Sequence, residues 1–182
     1  MKTIRHNVFE TNSSSMHNIS ISNELAVGDF SGTTLFVDAS GEYGWSGPLV
    51  DTPQQKLDYA IVAYLCREYE EAPDKETMSK QKYRAECKKI GEALVEKVTS
   101  VLDKIVEVFA QFGVTVEFGE NLREWEDGWY VEIKHSGYID HQSGPGEDSN
   151  CAQVADWVKE NPQRLFNFCF NNSYIELDND NH

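Results

Sequence analysis

Positive charge is scarce in this sequence: 16 Lys and Arg stand against 31 Asp and Glu, a net charge of -15 with histidine neutral. A surface of that sign repels phosphate backbones and gains nothing from releasing condensed counterions, which excludes direct non-specific binding of DNA or RNA. The same field attracts a basic protein, including one whose own groove is built for nucleic acid, although high negative charge also serves plain solubility. Cysteine is sparse as well. Cys66, Cys87, Cys151 and Cys169 form no C-x-x-C pair and have no close histidine partner, so neither a zinc site nor a disulfide framework is suggested. They read as reduced, partly buried thiols of a cytosolic protein. No apolar run approaches the roughly eighteen residues of a membrane span, and Met1 to His6 contains no apolar signal segment. The expected location is therefore the cytoplasm, with no membrane partner. H-x-x-x-H, H-E-x-x-H, G-x-S-x-G and P-loop patterns are missing, and no internal repeat is visible.

What is present is enough apolar material for a core. Hydrophobic residues make up 40% and aromatics 12% of 182 residues, which suits one globular domain over 1–182. Alternation of Ile19 and Ile21 with serines predicts a half-buried strand, and residues 2–9 and 33–38 predict two more. Asp51, Thr52 and Pro53 give a helix start, with Leu57, Ala60, Ile61, Tyr64 and Leu65 at helical spacing, so a helix is expected to about Glu71. A second helical stretch is basic in its first half. In its second half Cys87, Ile90, Leu94, Val98, Val101, Leu102, Ile105 and Phe109 form an apolar stripe ending before Gly113. From 82 to 112 it would be on the order of 45 Å long, hence bent, broken near Gly91, or protruding from the core over 74–112. It also leaves room for a homodimer through this helix. Residues 114–118 and 129–134 alternate like two paired strands, with Asp127 and Gly128 as a turn signal between them. A helix from about 150, a break at Asn161 and Pro162, a short apolar helix and a last strand at 173–177 complete the pattern. The fold class expected is α+β, one antiparallel or mixed sheet covered by three to four helices including a long central amphipathic one.

Several segments carry more chemistry than a connection needs. Glu10, Thr11, Asn12, Ser13, Ser14, Ser15, Met16, His17 and Asn18 include only one apolar side chain, whereas a turn needs one or two such polar residues. The segment is either a solvated connection or a binding or catalytic loop. Residues 135–146 form a second polar segment with His135, Asp140, His141 and Ser143. If strands brought the two together, Glu10, His17, Asp140 and His141 could gather as metal ligands, or His17, Asp140 and His141 as an acid/base set beside Ser143. The spacing demands neither, and no cofactor is called for. Tyr43 and Trp45 sit in a glycine-rich stretch, either folded back as a lid or presented to a partner. Glu124, Trp125, Glu126 and Asp127 place carboxylates around an aromatic ring beside the turn, the arrangement of either a phosphate-track mimic or a solvated hairpin tip. Net charge is -6 over 1–73, +1 over 74–116 and -10 over 117–182. The acidic surface thus belongs mainly to the last third, and the long helix is where a basic patch is expected.

Val8, Phe9, Glu10, Thr11, Asn12, Ser13, Ser14, Ser15, Met16 and His17 resemble the N-terminal signature of a broad group of small proteins from phages and other bacterial mobile elements, and residues 138–143 resemble a second motif found in some of them. Length and acidity are similar to those of a type II-A anti-CRISPR family that inhibits Cas9. The resemblance implies inhibition by tight binding, with Cas9 and its guide RNA as partner in a bacterial host. On that reading the binding residues are Asn12, Ser13, Ser14, Ser15 and His17 together with the 124–127 hairpin. The rival expectation is a small hydrolase-like enzyme whose site combines residues 10–18 with 135–143.

Overall fold

In the computed structural model, which describes residues 3–4, 15–43, 49–139 and 150–179, the chain packs around its first helix. The Thr52 side chain accepts from the Gln55 backbone N–H while the Gln55 side chain reaches back to the Thr52 N–H, and Pro53 fills a position where no N–H is needed. Helix α1 (Pro53–Leu65) is buried along every residue from 56 to 65. A helix without a solvated face belongs inside the protein, so α1, rather than the long helix, is the central one. It stops at Leu65 instead of about Glu71. Arg67 and Glu68 donate to the Tyr64 and Leu65 carbonyls, tightening the last turn, and Tyr69–Glu71 leaves as a strand.

Helix α2 (Lys80–Ala110) begins at Ser79, whose hydroxyl accepts from the Lys82 N–H, and runs unbroken through Gly91. Its second half joins α1, α3 (Asn150–Glu160) and α4 (Pro162–Phe170) in the main core. Its first half contributes Tyr83, Cys87 and Ile90 to a smaller cluster with Met78, Val131 and Trp125. Gly113, at φ +76, takes the left-handed conformation that ends the helix, and its carbonyl accepts from the Gly32 N–H at 3.1 Å. Asn161 and Pro162 separate α3 from α4 as their chemistry dictates, with the Asn161 side chain accepting from the Arg164 N–H at 3.0 Å. No helix among the described residues is long and apolar enough to cross a membrane.

The fold is α+β, with four helices and several small sheets among the described residues. Strand β1 (Thr3–Ile4), β2 (Ser15–Ile21) and β10 (Tyr174–Asn179) form one antiparallel sheet in the order β1-β2-β10. β3 (Thr34–Val37) pairs in parallel with β6 (Thr115–Phe118), and β4 (Glu42–Tyr43) in parallel with β9 (Tyr138–Ile139). β5 (Tyr69–Glu71), β8 (Tyr130–Ile133) and β7 (Trp125–Asp127) form an antiparallel sheet in the order β5-β8-β7. Among the described residues the single expected sheet is therefore divided into four, and β6 does not pair with β8. After β6 a 3-10 helix, Glu120–Arg123, buries Leu122 and redirects the chain, so β8 finds its hairpin partner in β7.

Tyr43 folds back onto the core: its hydroxyl donates to Asp58 Oδ2 at 2.8 Å and its ring meets Tyr59 edge-on. Trp45 lies outside the described residues. All four cysteines are free, with Cys87, Cys151 and Cys169 buried. Burial pushes the Cys151 and Cys169 thiols up to about 12, which keeps them in the unreactive thiol form at neutral pH.

Candidate protein interface

The β5-β8-β7 sheet is built by a hairpin turning at Gly128, whose N–H donates to the Tyr130 carbonyl at 2.8 Å. Its register pairs Trp125 with Ile133, Glu126 with Glu132, Tyr69 with Glu132 and Glu71 with Tyr130. Because side chains alternate, Trp125, Asp127, Val131 and Ile133 share the face toward α2, while Tyr69, Glu71, Glu126, Tyr130 and Glu132 share the outer face. Trp125 is half-buried in the small cluster and lies directly over Gly91. Asp127 accepts from the Tyr83 hydroxyl at 3.1 Å. Glu124 is engaged by Lys134 at 2.8 Å. Of the four hairpin residues singled out in the sequence, only Glu126 points outward with no such partner among the described residues, and Trp125 is a packing ring rather than a presented one.

The exposed aromatic surface is made by other residues. Tyr69 and Tyr130 are 47% and 46% exposed with ring centroids 4.6 Å apart, and Trp129 at the turn is 93% exposed. Around them Glu71, Glu126 and Glu132 take part in none of the ion pairs among the described residues. The local field is negative enough to hold the Lys134 ammonium above the ordinary lysine range, through its hydrogen bond and charge contact with Glu124 and the charge of Glu126. Such a face offers large rings at low ordering cost and carboxylates for cations. Trp129 keeps the spacing of Val131 and Ile133, yet at the turn it stands exposed while they are buried. The strand Tyr69–Glu71 was hidden in the expected tail of α1; its one signal was Glu70 and Glu71 following an aromatic after the apolar stripe stops.

The two polar segments fare differently. Ser15 and His17 are not in a loop: β2 begins at Ser15, opposite Asn179, and His17 opposes Leu177 of β10. Asn12, Ser13 and Ser14, with His6 and Glu10, lie outside the described residues, as do Asp140, His141 and Ser143. The second segment includes β9, which pairs with β4, so among the described residues β2 and β9 belong to different sheets. His135, the histidine of that segment that is described, is engaged with the Ile133 carbonyl through Nδ1 at 2.7 Å. Among the described residues no group of three or more His, Cys, Asp or Glu side chains gathers as a metal site. Comparison of the chain with protein-family models, curated proteins and solved structures yields no match.

Proposed function

We propose that this protein is an inhibitor of the phage or mobile-element type that works by binding a basic, nucleic-acid-handling enzyme in the cytoplasm of a bacterial host, foremost Cas9 with its guide RNA. The observation that carries the reading is the outer face of the β5-β8-β7 sheet, where Tyr69 and Tyr130 are exposed beside Glu71, Glu126 and Glu132, with Trp129 exposed at the hairpin turn. An interface needs both parts: aromatic anchors supply buried area, and carboxylates steer and register a positive surface. The resemblance of residues 8–17 to proteins of mobile elements supplies the class of target. Occupation of a groove built for nucleic acid blocks the enzyme without any bond being made or broken, so this reading assigns no catalytic residue and no cofactor.

The test is cleavage of a matched DNA by purified Cas9 loaded with guide RNA. The wild-type protein is expected to stop cleavage. Glu126→Lys combined with Glu132→Lys reverses two outward charges without touching the core, and should raise the concentration needed for half inhibition by at least about tenfold, the scale of losing steered charge contacts at an interface. Cleavage undiminished by an excess of the wild-type protein would sink the proposal.

A further inference from the structure

We propose that the open edge of β5 is a strand-docking site, taking as a fourth strand an extended segment of a basic partner in which arginine alternates with aliphatic residues. This deepens the binding reading above and rests on it for the existence of a basic partner. The edge comes first. Among the described residues β5 ends its sheet, with β8 on one side only. The Ala72 N–H donates to the Trp129 carbonyl at 3.4 Å, and in the same register the next hydrogen-bonded pair is Glu70 with Val131. Backbone groups alternate in direction along an antiparallel pair, so the N–H and C=O groups of Tyr69 and Glu71 point to the open side. All three β5 residues are exposed.

Each side of that edge specifies a different side chain. A residue set opposite Tyr69 or Glu71 on an added strand would stand on the outer face, its Cβ about 5 Å from theirs. There the Tyr69 and Tyr130 rings and the Glu71 and Glu132 carboxylates meet a guanidinium with a π face and an anion together. A residue opposite Glu70 would turn the other way. Between β5 and α2 lies a groove of about 300 Å³, bordered by Glu70, Lys89 and Lys97 with Ile90, Ala93 and Leu94 forming its floor. Its apolar floor takes an aliphatic side chain, since Lys97 is engaged by Glu68 and Lys89 shares the rim with the carboxylate of Glu70. A basic partner suits the edge better than a second copy of this chain, because antiparallel self-pairing would set either Glu70 opposite Glu70 or Glu71 opposite Glu71, adding a like-charge pair to the Glu126–Glu132 pair the sheet already holds. Acidic residues on a short edge also discourage aggregation, but that role requires no apolar groove behind the strand.

Two peptides of equal composition provide the test, one alternating arginine with isoleucine and one carrying them in separate blocks. With isotope-labelled full-length protein, the alternating peptide should shift the amide resonances of Tyr69 and Glu71, slow their hydrogen exchange, and bind about tenfold more tightly than the block peptide, as one or two added backbone hydrogen bonds would give. Glu71→Pro removes an outward N–H without costing a bond to β8, a placement proline tolerates on edge strands, and should weaken the alternating peptide about tenfold. Ala93→Glu places a charge in the groove and should weaken the alternating peptide but not the block one. Equal binding of the two peptides, or no response at Tyr69 and Glu71, overturns the proposal; if Glu71→Pro does not fold, Ala93→Glu and the exchange data decide it. An uninhibited nuclease with the alternating peptide still docked on β5 removes the inhibitor reading alone. Inhibition unchanged by both substitutions removes strand docking alone.

Discussion

Lys56 carries an ammonium into the interior. It is 1% exposed, and its Nζ donates to the Asn171 and Ser173 carbonyls at 3.0 Å each, tying α1 to the connection between α4 and β10. Burial pulls its pKa below the ordinary 10.5, partly opposed by the nearby Cys169 and Asp51. The unfolded chain therefore holds this proton to higher pH than the folded one, and the stability it contributes is full above the unfolded value and lost as pH falls through the folded value. A neutral amine still has two N–H groups, one for each carbonyl. Lys56→Met orphans both carbonyls and should cost about 1–2 kcal/mol near neutral pH. The gap between wild type and variant should widen as pH rises toward 10, since only the wild type is relieved of a buried charge. Chemical denaturation of both proteins between pH 7 and 10 measures this, and a constant gap would refute the account. None of this was legible in the sequence, where Lys56 is one polar residue among several at a helix start. Its partners come from 115 and 117 positions away. The Tyr43 hydroxyl was half legible: its segment admitted a fold-back, but Asp58 as acceptor did not follow from spacing.

Between elements, the decisive contact is α2 against the β7–β8 hairpin at Gly91. A Cβ built at Gly91 overlaps the Trp125 ring at Cγ and Cδ2, so only glycine lets the indole lie flat on the helix. Gly91→Ala gains helix propensity of about 1 kcal/mol, while expelling a packed ring costs about 1–3 kcal/mol. The substitution should lower stability by about 1 kcal/mol, and in a Trp125→Leu background the same substitution should raise it by a similar amount. A thermal or urea double-mutant cycle reads both signs, and stabilisation in both backgrounds would show that Trp125 does not need the glycine. The sequence offers a break near Gly91 as one way to accommodate so long a helix; the helix continues through it, and the glycine serves packing instead. Elements marked by local chemistry were readable: the Thr52–Pro53 start, the Asn161–Pro162 break and the Asp127–Gly128 turn all stand where their residues put them. Pairings fixed at a distance were not. Residues 114–118 alternate equally well as a hairpin arm or as a parallel partner of β3, and tertiary packing chose the second.

At the scale of the whole molecule, the net charge of -15 is distributed so that the outer face of the β5-β8-β7 sheet is acidic while the first half of α2 beside it is rich in lysine. Sequence counting located the acidic excess in the last third, yet the face draws Glu71 from the first third as well, because β5 crosses to β8. A partner held by such a face feels its field before contact, so electrostatics should act mostly on association. Screening shortens the reach of that field from about 10 Å at 0.1 M salt to about 3 Å at 1 M. Affinity for the proposed partner, the Cas9–guide RNA complex, should therefore fall by about tenfold or more between low and high salt, through a slower association rate with dissociation changing less. Glu126→Gln with Glu132→Gln should flatten that dependence and leave what remains at high salt, the share supplied by Tyr69, Tyr130 and Trp129. Rates measured on an immobilised complex across a salt series separate the two contributions. If association is equally fast at every salt concentration, the acidic face does not steer the encounter, and binding must be carried by the aromatic surface alone.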